Sequence, residues 1–243
     1  SREVTALVAT PDQLTVATFN VENLDPADGA PKFAALASAI VGNLRAPDIL
    51  TLEEIQDNNG ATNNGTVAAD ITLNTLIDAI IAAGGPAYQY RQIDPANNQD
   101  GGEPGGNIRV GFLFNPDRVG FVEPSLQRLT DSSLGDGDAF ANSRKPLVGD
   151  FTFNGETVTV IANHFNSKGG DDPLFGPTQP PVLSSEIQRA QQATIVADFV
   201  QARLALDANA RIIVAGDLND FEFSNPVSVL EGAGLSTLIE VLP

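Results

Sequence analysis

The chain has 243 residues, 31 of them acidic and 13 basic, a formal net charge of −18, one histidine and no cysteine. That length can bury a substantial core, while the missing cysteines exclude disulfide frameworks and thiolate chemistry and the single histidine excludes sites built from several. The acidic field disfavours a non-specific basic groove for polyanions and favours divalent cations. No stretch approaches an apolar membrane span, and residues 1–12 lack the basic-then-apolar pattern of a secretory signal. A start at Ser1 reads as an excised piece, so further domains of a larger parent are expected, and the acidic, cysteine-free composition suits an extracellular or cell-surface bacterial protein.

In chain order, 14–20 reads as a strand giving way to Asn20, Val21, Glu22 and Asn23. Pro31 opens a helix whose apolar residues Phe33, Leu36, Ala37, Ile40, Val41 and Leu44 recur at three- and four-residue spacing, stopping before Pro47. A short apolar strand at 49–52 ends in Glu53 and Glu54, which with the preceding strand and helix makes a strand-helix-strand unit. A second helix turns Leu73, Leu76, Ile77 and Ile80 inward and ends at Gly84-Gly85-Pro86. Residues 88–93 read as a strand, and 94–107, rich in glycine, proline and amides, as a loop over the site.

Two hairpins are expected next: 108–114 with 119–122 around Asn115-Pro116-Asp117, and 147–153 with 157–162 around Asn154-Gly155. The second delivers Asn163-His164-Phe165-Asn166-Ser167-Lys168. A long helix at 185–206, with Ser184 as N-cap, leads to an apolar strand at 211–216 that reads as buried on both faces. That strand ends in Gly216-Asp217-Leu218-Asn219-Asp220. A short helix after Asn225-Pro226 and another element at 235–242 complete one α/β domain over 14–243, preceded by an N-terminal extension at 1–13.

Taken singly, each polar residue at a strand end has an ordinary reading as a turn residue or surface acid. Together, Asn20 with Glu22, Glu54, His164, and Asp217 with Asn219 place matched chemistry at four strand ends, where ligands of α/β sheets bind. Oxygen ligands with one histidine suit a hard cation such as Mg2+, with Mn2+ or Ca2+ as alternatives, held by one or two carboxylates. Phosphate-ester hydrolysis needs this inventory.

The stretches Thr18-Phe19-Asn20-Val21-Glu22-Asn23-Leu24, Asp48-Ile49-Leu50-Thr51-Leu52-Glu53-Glu54-Ile55-Gln56, Ile108-Arg109-Val110-Gly111-Phe112-Leu113-Phe114, Val160-Ile161-Ala162-Asn163-His164-Phe165 and Ala215-Gly216-Asp217-Leu218-Asn219-Asp220 resemble, in order and spacing, the endonuclease/exonuclease/phosphatase superfamily. Its members include deoxyribonuclease I, abasic-site endonucleases, sphingomyelinases and inositol phosphatases, and residues 163–170 look most like secreted bacterial nucleases. The resemblance implies a four-layer α/β/β/α sandwich of two mixed, mainly antiparallel sheets, and a divalent-metal phosphodiesterase acting on nucleic acid. It implies Glu54 as principal metal ligand with Asn20, Glu22 and Asp217 around it. Asp217 and Asn219 would orient the attacking water, His164 would donate to the phosphate or leaving group, and Arg109, Asn163 and Asn219 would contact substrate. A phosphatase or phospholipase of the same fold, or a non-catalytic binding domain, is the alternative.

One departure stands out. Family members close with a Ser-Asp-His or similar triplet on a late strand, whereas this chain has no second histidine and stops at Pro243. A truncated chain lacking its last strands is expected to bind metal yet be weak or inactive, since general acid-base groups contribute ~10²–10⁴-fold. Its uncovered sheet edges would invite self-association.

Overall fold

Alternating apolar residues build two sheets, seen in a computed structural model that describes residues 3–238. The first comprises β1 (Val16–Leu24), β2 (Ile49–Ile55), β3 (Gln89–Arg91) and β4 (Arg109–Phe114) in the order β1-β2-β4-β3. The second comprises β5 (Gly120–Phe121), β6 (Gln127–Arg128), β7 (Leu147–Phe153), β8 (Glu156–His164) and β9 (Arg211–Asp217), ordered β5-β7-β8-β9 with β6 also on β7. The β1–β2 and β8–β9 pairs are parallel and the other pairs antiparallel.

Successive side chains point to opposite faces of a strand, so each sheet feeds two cores. Leu50, Leu52 and Leu113 face α1 (Gly29–Ser38) and α2 (Asp70–Ala82), packing on Phe33, Ile40, Leu73, Leu76 and Ile80. Ile49, Val110, Phe112 and Phe114 turn the other way and meet Phe151, Val160 and Ala162 between the sheets, with Phe112 and Phe151 edge to face at 5.3 Å. Val148 and Ile161 complete the outer core against Ala193, Val196 and Val200 of α3 (Glu186–Leu206), beside Leu230 of α4 (Asn225–Gly232). The result is the expected α/β/β/α sandwich.

Several local expectations need correction. The segments flanking Asn115-Pro116-Asp117 do not form a hairpin: β4 pairs with β2 and β3, while β5 pairs with β7, so this turn carries the chain from one sheet to the other. β9 is an outer strand of intermediate burial rather than a strand buried on both faces. The N-cap of α3 is Ser185, not Ser184, and its hydroxyl bonds Asp171 Oδ2 at 2.6 Å instead of capping the helix. The first helix begins at Gly29, after a capping box made by Asp25 and Asp28, with Pro31 inside its first turn where proline is tolerated. Residues 94–107 form a loop as expected, tied to its surroundings by Asn107 Nδ2, which donates to Asp57 Oδ2 at 3.0 Å, and by Asp100, which pairs with Lys145 at 2.5 Å. The element expected at 235–242 lies, from residue 239 on, outside the described residues.

Candidate active site

Two bulges aim the first half of the site. Between Leu52 and Ile55, β2 sets Glu53 and Glu54 against the single residue Val110 of β4. On its other side, β1 shifts register between Asn20 and Leu24, with Glu22 and Asn23 at φ 54° and 53°. Glu54 itself has φ 64°, a conformation that L-residues adopt at a cost of ~1–3 kcal/mol and that a bulge uses to redirect a side chain. Asn20, Glu53 and Glu54 therefore sit within their strands rather than past the ends.

The second half comes from the parallel pair β8–β9, whose register ends with His164 opposite Asp217. One step earlier Gly216 faces Asn163 at φ 128°, and a Cβ there would lie 2.0 Å from the Asn163 carbonyl oxygen. Only glycine permits this approach. Asn163 is wholly buried, and its amide donates to the carbonyls of Ile161 at 2.9 Å and Ala215 at 3.0 Å. It braces β9 from below instead of facing a substrate.

The two halves meet where outer strands β1 and β9 adjoin. Asn20 Nδ2 donates to Glu54 Oε1 at 2.9 Å and to Asp217 Oδ2 at 3.3 Å, one amide spanning two sheets. The Asn23 backbone N–H adds a bond to Glu54 Oε2 at 3.1 Å. His164 Nε2 stands 3.8 Å from Glu54 Oε1 and 4.0 Å from Asp217 Oδ2, beyond hydrogen-bond length, which leaves room for a ligand oxygen between them. Asn219 (φ 51°) donates its backbone N–H to Asp217 Oδ1 at 2.9 Å and its side-chain amide to the Phe165 carbonyl at 3.0 Å.

Burial, with the Arg144 guanidinium next and Asp217 opposing, holds the His164 pKa down to about 4. The imidazole is neutral at pH 7, so its approaches to Glu54 and Asp217 are not ion pairs. Its Nδ1 is buried without a partner among the described residues.

The structure thus brings together Asn20, Glu54, His164, Asp217 and Asn219. It does not bring in Glu22, whose exposed carboxylate has no hydrogen bond or ion pair among the described residues while its carbonyl accepts from Lys32 at 2.6 Å. Nor does it bring in Arg109. That side chain is buried, with its fork donating to Asp94 at 2.8 Å, Gln92 at 3.2 Å and the Asn107 carbonyl at 3.0 Å.

Two residues escaped the sequence reading. Arg144, in the loop before β7, is buried, donates to the Phe165 carbonyl at 2.8 Å and puts a fixed positive charge where Glu54 and Asp217 feel it. The adjacent cations Arg144 and Lys145 just ahead of a strand were the one available signal. Glu53 turns inward, bonded by Thr18 and Thr51 at 2.9 and 3.0 Å, and burial pushes its pKa up to about 7 against those bonds.

Among the described residues no group of three or more His, Cys, Asp and Glu is arranged to hold a metal ion. The donors nevertheless fit a hard cation of the magnesium type, which takes one or two carboxylates and completes its shell with water and phosphate oxygens. Glu54 and Asp217 share one amide donor and would hold such an ion, with Asn20 beside them.

A family model described as Endonuclease/Exonuclease/phosphatase family matches residues 17–240. No curated protein sequence matches the chain. Among solved structures, the human Nocturnin catalytic domain with bound sulfate is 15% identical at TM-score 0.57, covering 88% of this chain and 68% of its own. TDP2 of D. rerio, complexed with a single strand DNA product, is 18% identical at TM-score 0.51 over 91% of this chain. This chain spans 64% of that protein, less than two-thirds of its length. The beta toxin of Staphylococcus aureus, as a beta hairpin deletion mutant, is 15% identical at TM-score 0.54, covering 91% of this chain and 72% of its own. The family model covers nearly the whole chain and these likenesses carry the same fold, so the protein belongs to the endonuclease/exonuclease/phosphatase family.

Proposed function

We propose that the protein is a divalent-metal-dependent phosphodiester hydrolase acting on nucleic acid by in-line attack of water. The observation that carries this reading is the single amide of Asn20 spanning Glu54 and Asp217, with neutral His164 facing both. In this assignment Glu54 and Asp217 hold Mg2+, which when bound offsets charge building on the phosphoryl oxygens. Asp217, its carboxylate held by the Asn20 side-chain amide and the Asn219 backbone N–H, orients the attacking water. Neutral His164 supplies a hydrogen bond to a phosphate oxygen, and the buried Arg144 lends positive potential to Glu54 and Asp217. The likeness to a TDP2 complexed with single strand DNA product supports nucleic acid as the substrate class. The acidic, cysteine-free composition supports an extracellular bacterial setting, which fractionation of a producing bacterium would test by finding the protein in the medium or in the cytosol.

A second reading, a phosphatase or phospholipase of the same fold, is favoured by the net charge of −18, which repels polyanions. Both are tested by Mg2+-dependent turnover of single-stranded DNA, RNA, bis(p-nitrophenyl) phosphate and phospholipid vesicles, with Glu54→Gln alongside. Glu54-dependent cleavage of nucleic acid supports the proposal. Glu54-dependent cleavage of lipid or small phosphoesters alone moves the assignment to the second reading. Turnover that survives Glu54→Gln overturns the site.

A further inference from the structure

The chain folds its phenylalanines inward with few exceptions, and two of the exposed ones are neighbours. Phe221 and Phe223 are 42% and 72% exposed, yet their rings stack 5.3 Å apart at an interplanar angle of 7°. They occupy a turn closed by the Ser224 N–H on the Phe221 carbonyl at 3.0 Å, and Pro226 in the first turn of α4 follows at once. Phe223 and Lys168 cover part of Phe221, but Phe223 itself stays largely exposed, so apolar area is kept in water at this turn.

Its place relative to the site follows from the strand register. His164 pairs with Asp217, and the two parallel exits run on together, so that Lys168, four residues past His164, sets Nζ 3.7 Å from the ring centre of Phe221, four past Asp217. Four residues reach at most ~14 Å and six at most ~21 Å, so the backbone of Phe221 lies within about four stacked nucleotides of Asp217 and that of Phe223 within about six. A buried network fixes this arrangement. Lys168 pairs with Asp220 Oδ1 at 3.0 Å, Arg189 of α3 with Asp220 Oδ2 at 2.8 Å, and Arg189 also reaches Asp171 at 3.4 Å. Both acids are consumed in holding the two cations, which leaves a flat aromatic pair beside a Lys168 side chain that is 37% exposed.

We infer that Phe221 and Phe223, with Lys168, form a stacking platform for an unpaired nucleobase of a single-stranded substrate, and so set the strand preference of the site. The inference rests on the phosphodiesterase reading above for its substrate class. A net charge of −18 leaves little electrostatic attraction for a phosphate backbone, so strand affinity has to come from contacts that do not need a basic groove, and a base face on an aromatic ring is such a contact. Duplex bases are already stacked on one another and gain nothing from the platform, which makes it selective for unpaired strands.

The test is fluorescence anisotropy in EDTA, where no turnover occurs, with a fluorescein-labelled single strand of about 12 nucleotides and the matching duplex, a length within the range of single-strand sites. Phe223→Ala is expected to weaken single-strand binding by about 5- to 150-fold, with Phe223→Trp restoring it and duplex binding indifferent to both. Unchanged single-strand affinity in Phe223→Ala, or an equal loss for duplex, overturns the platform. Neutral phosphatidylcholine vesicles serve as a third probe: Phe223-dependent vesicle binding with strand binding unaffected overturns the nucleic-acid assignment in favour of a lipid surface. The two readings fail separately. A chain that binds strands through Phe223 but hydrolyses nothing in Mg2+ loses the phosphodiesterase reading and keeps the platform. Glu54-dependent hydrolysis of single-stranded DNA in Mg2+ with strand affinity indifferent to Phe223 does the reverse.

Discussion

Replacing Gly216 by alanine is the sharpest test of how the site is assembled. The added Cβ would lie 2.0, 2.7 and 2.8 Å from the carbonyl oxygen, nitrogen and carbonyl carbon of Asn163, all backbone atoms that cannot rotate away. Ordinary contact begins near 3.4 Å, so β8 and β9 must part by roughly 1.4 Å at this level, the difference between 3.4 and 2.0. Forcing φ 128° on an L-residue adds ~1–3 kcal/mol. Parting the strands loosens the last ladder bonds and the Asn163 bond to the Ala215 carbonyl, at ~1 kcal/mol each. The sum is a destabilisation of about 4 kcal/mol or more, together with loss of the His164–Asp217 juxtaposition. Urea denaturation measures it, with Gly155→Ala as the control. Gly155 also has positive φ (81°) but meets nothing within 4 Å, so its alanine variant should lose no more than the strain alone, ~1–3 kcal/mol. Equal losses in the two variants, or a loss below ~1 kcal/mol at Gly216, would refute the close-approach argument.

Asn20→Ala removes the donor shared by Glu54 and Asp217 and should cost about 1.5–3 kcal/mol in denaturation, with added Mg2+ recovering part of it; a neutral effect would mean the bridge does not hold the two sheets' acids together. Arg144→Met takes away the cation that opposes His164 protonation, so the pKa of the only histidine should rise from about 4, read directly by NMR in EDTA. An unmoved titration would place Arg144 electrically outside the site. For Glu53, the folded pKa of about 7 lies above the free value of 4.5, so the folded state binds the extra proton and burial of the carboxylate costs stability as pH rises between those values. The penalty is absent below about pH 4.5 and complete above about pH 7, where it reaches roughly 3 kcal/mol. Glu53→Gln should therefore gain on the parent chain between pH 4.5 and 8, and a pH-independent difference in urea midpoints would contradict the assignment.

What could be read from the residues was whatever local chemistry decides. The Asn154-Gly155 turn adopts φ 49° and 81° as a two-residue hairpin requires, and the apolar run before Gly216 ends at Asp217 in a strand of the expected length. The turn at Asn115-Pro116-Asp117 has equally good turn chemistry, but turn residues reverse a chain without saying which sheet receives it. The bulge at Glu54 depends on β1, β2 and β4 being in register together, so no window of sequence contains it. Arg109 and Asn163 misled because residue type and strand position match a substrate contact, whereas Asp94 and the Ala215 carbonyl, which occupy them, are distant in sequence. Arg144 was hidden because a loop has no periodicity to give its side chain a direction.

The Asn20–Asp217 bond joins residues 197 positions apart, on strands of different sheets. Such a contact forms only after both halves of the sandwich have closed, so the site is among the last features to exist during folding and the first lost when the sheets part. Any ligand that binds there binds the closed state alone. By mass action a ligand at 100 times its dissociation constant would deepen the folded well by about 2.7 kcal/mol, making substrate or cation a clasp on the sandwich as a whole.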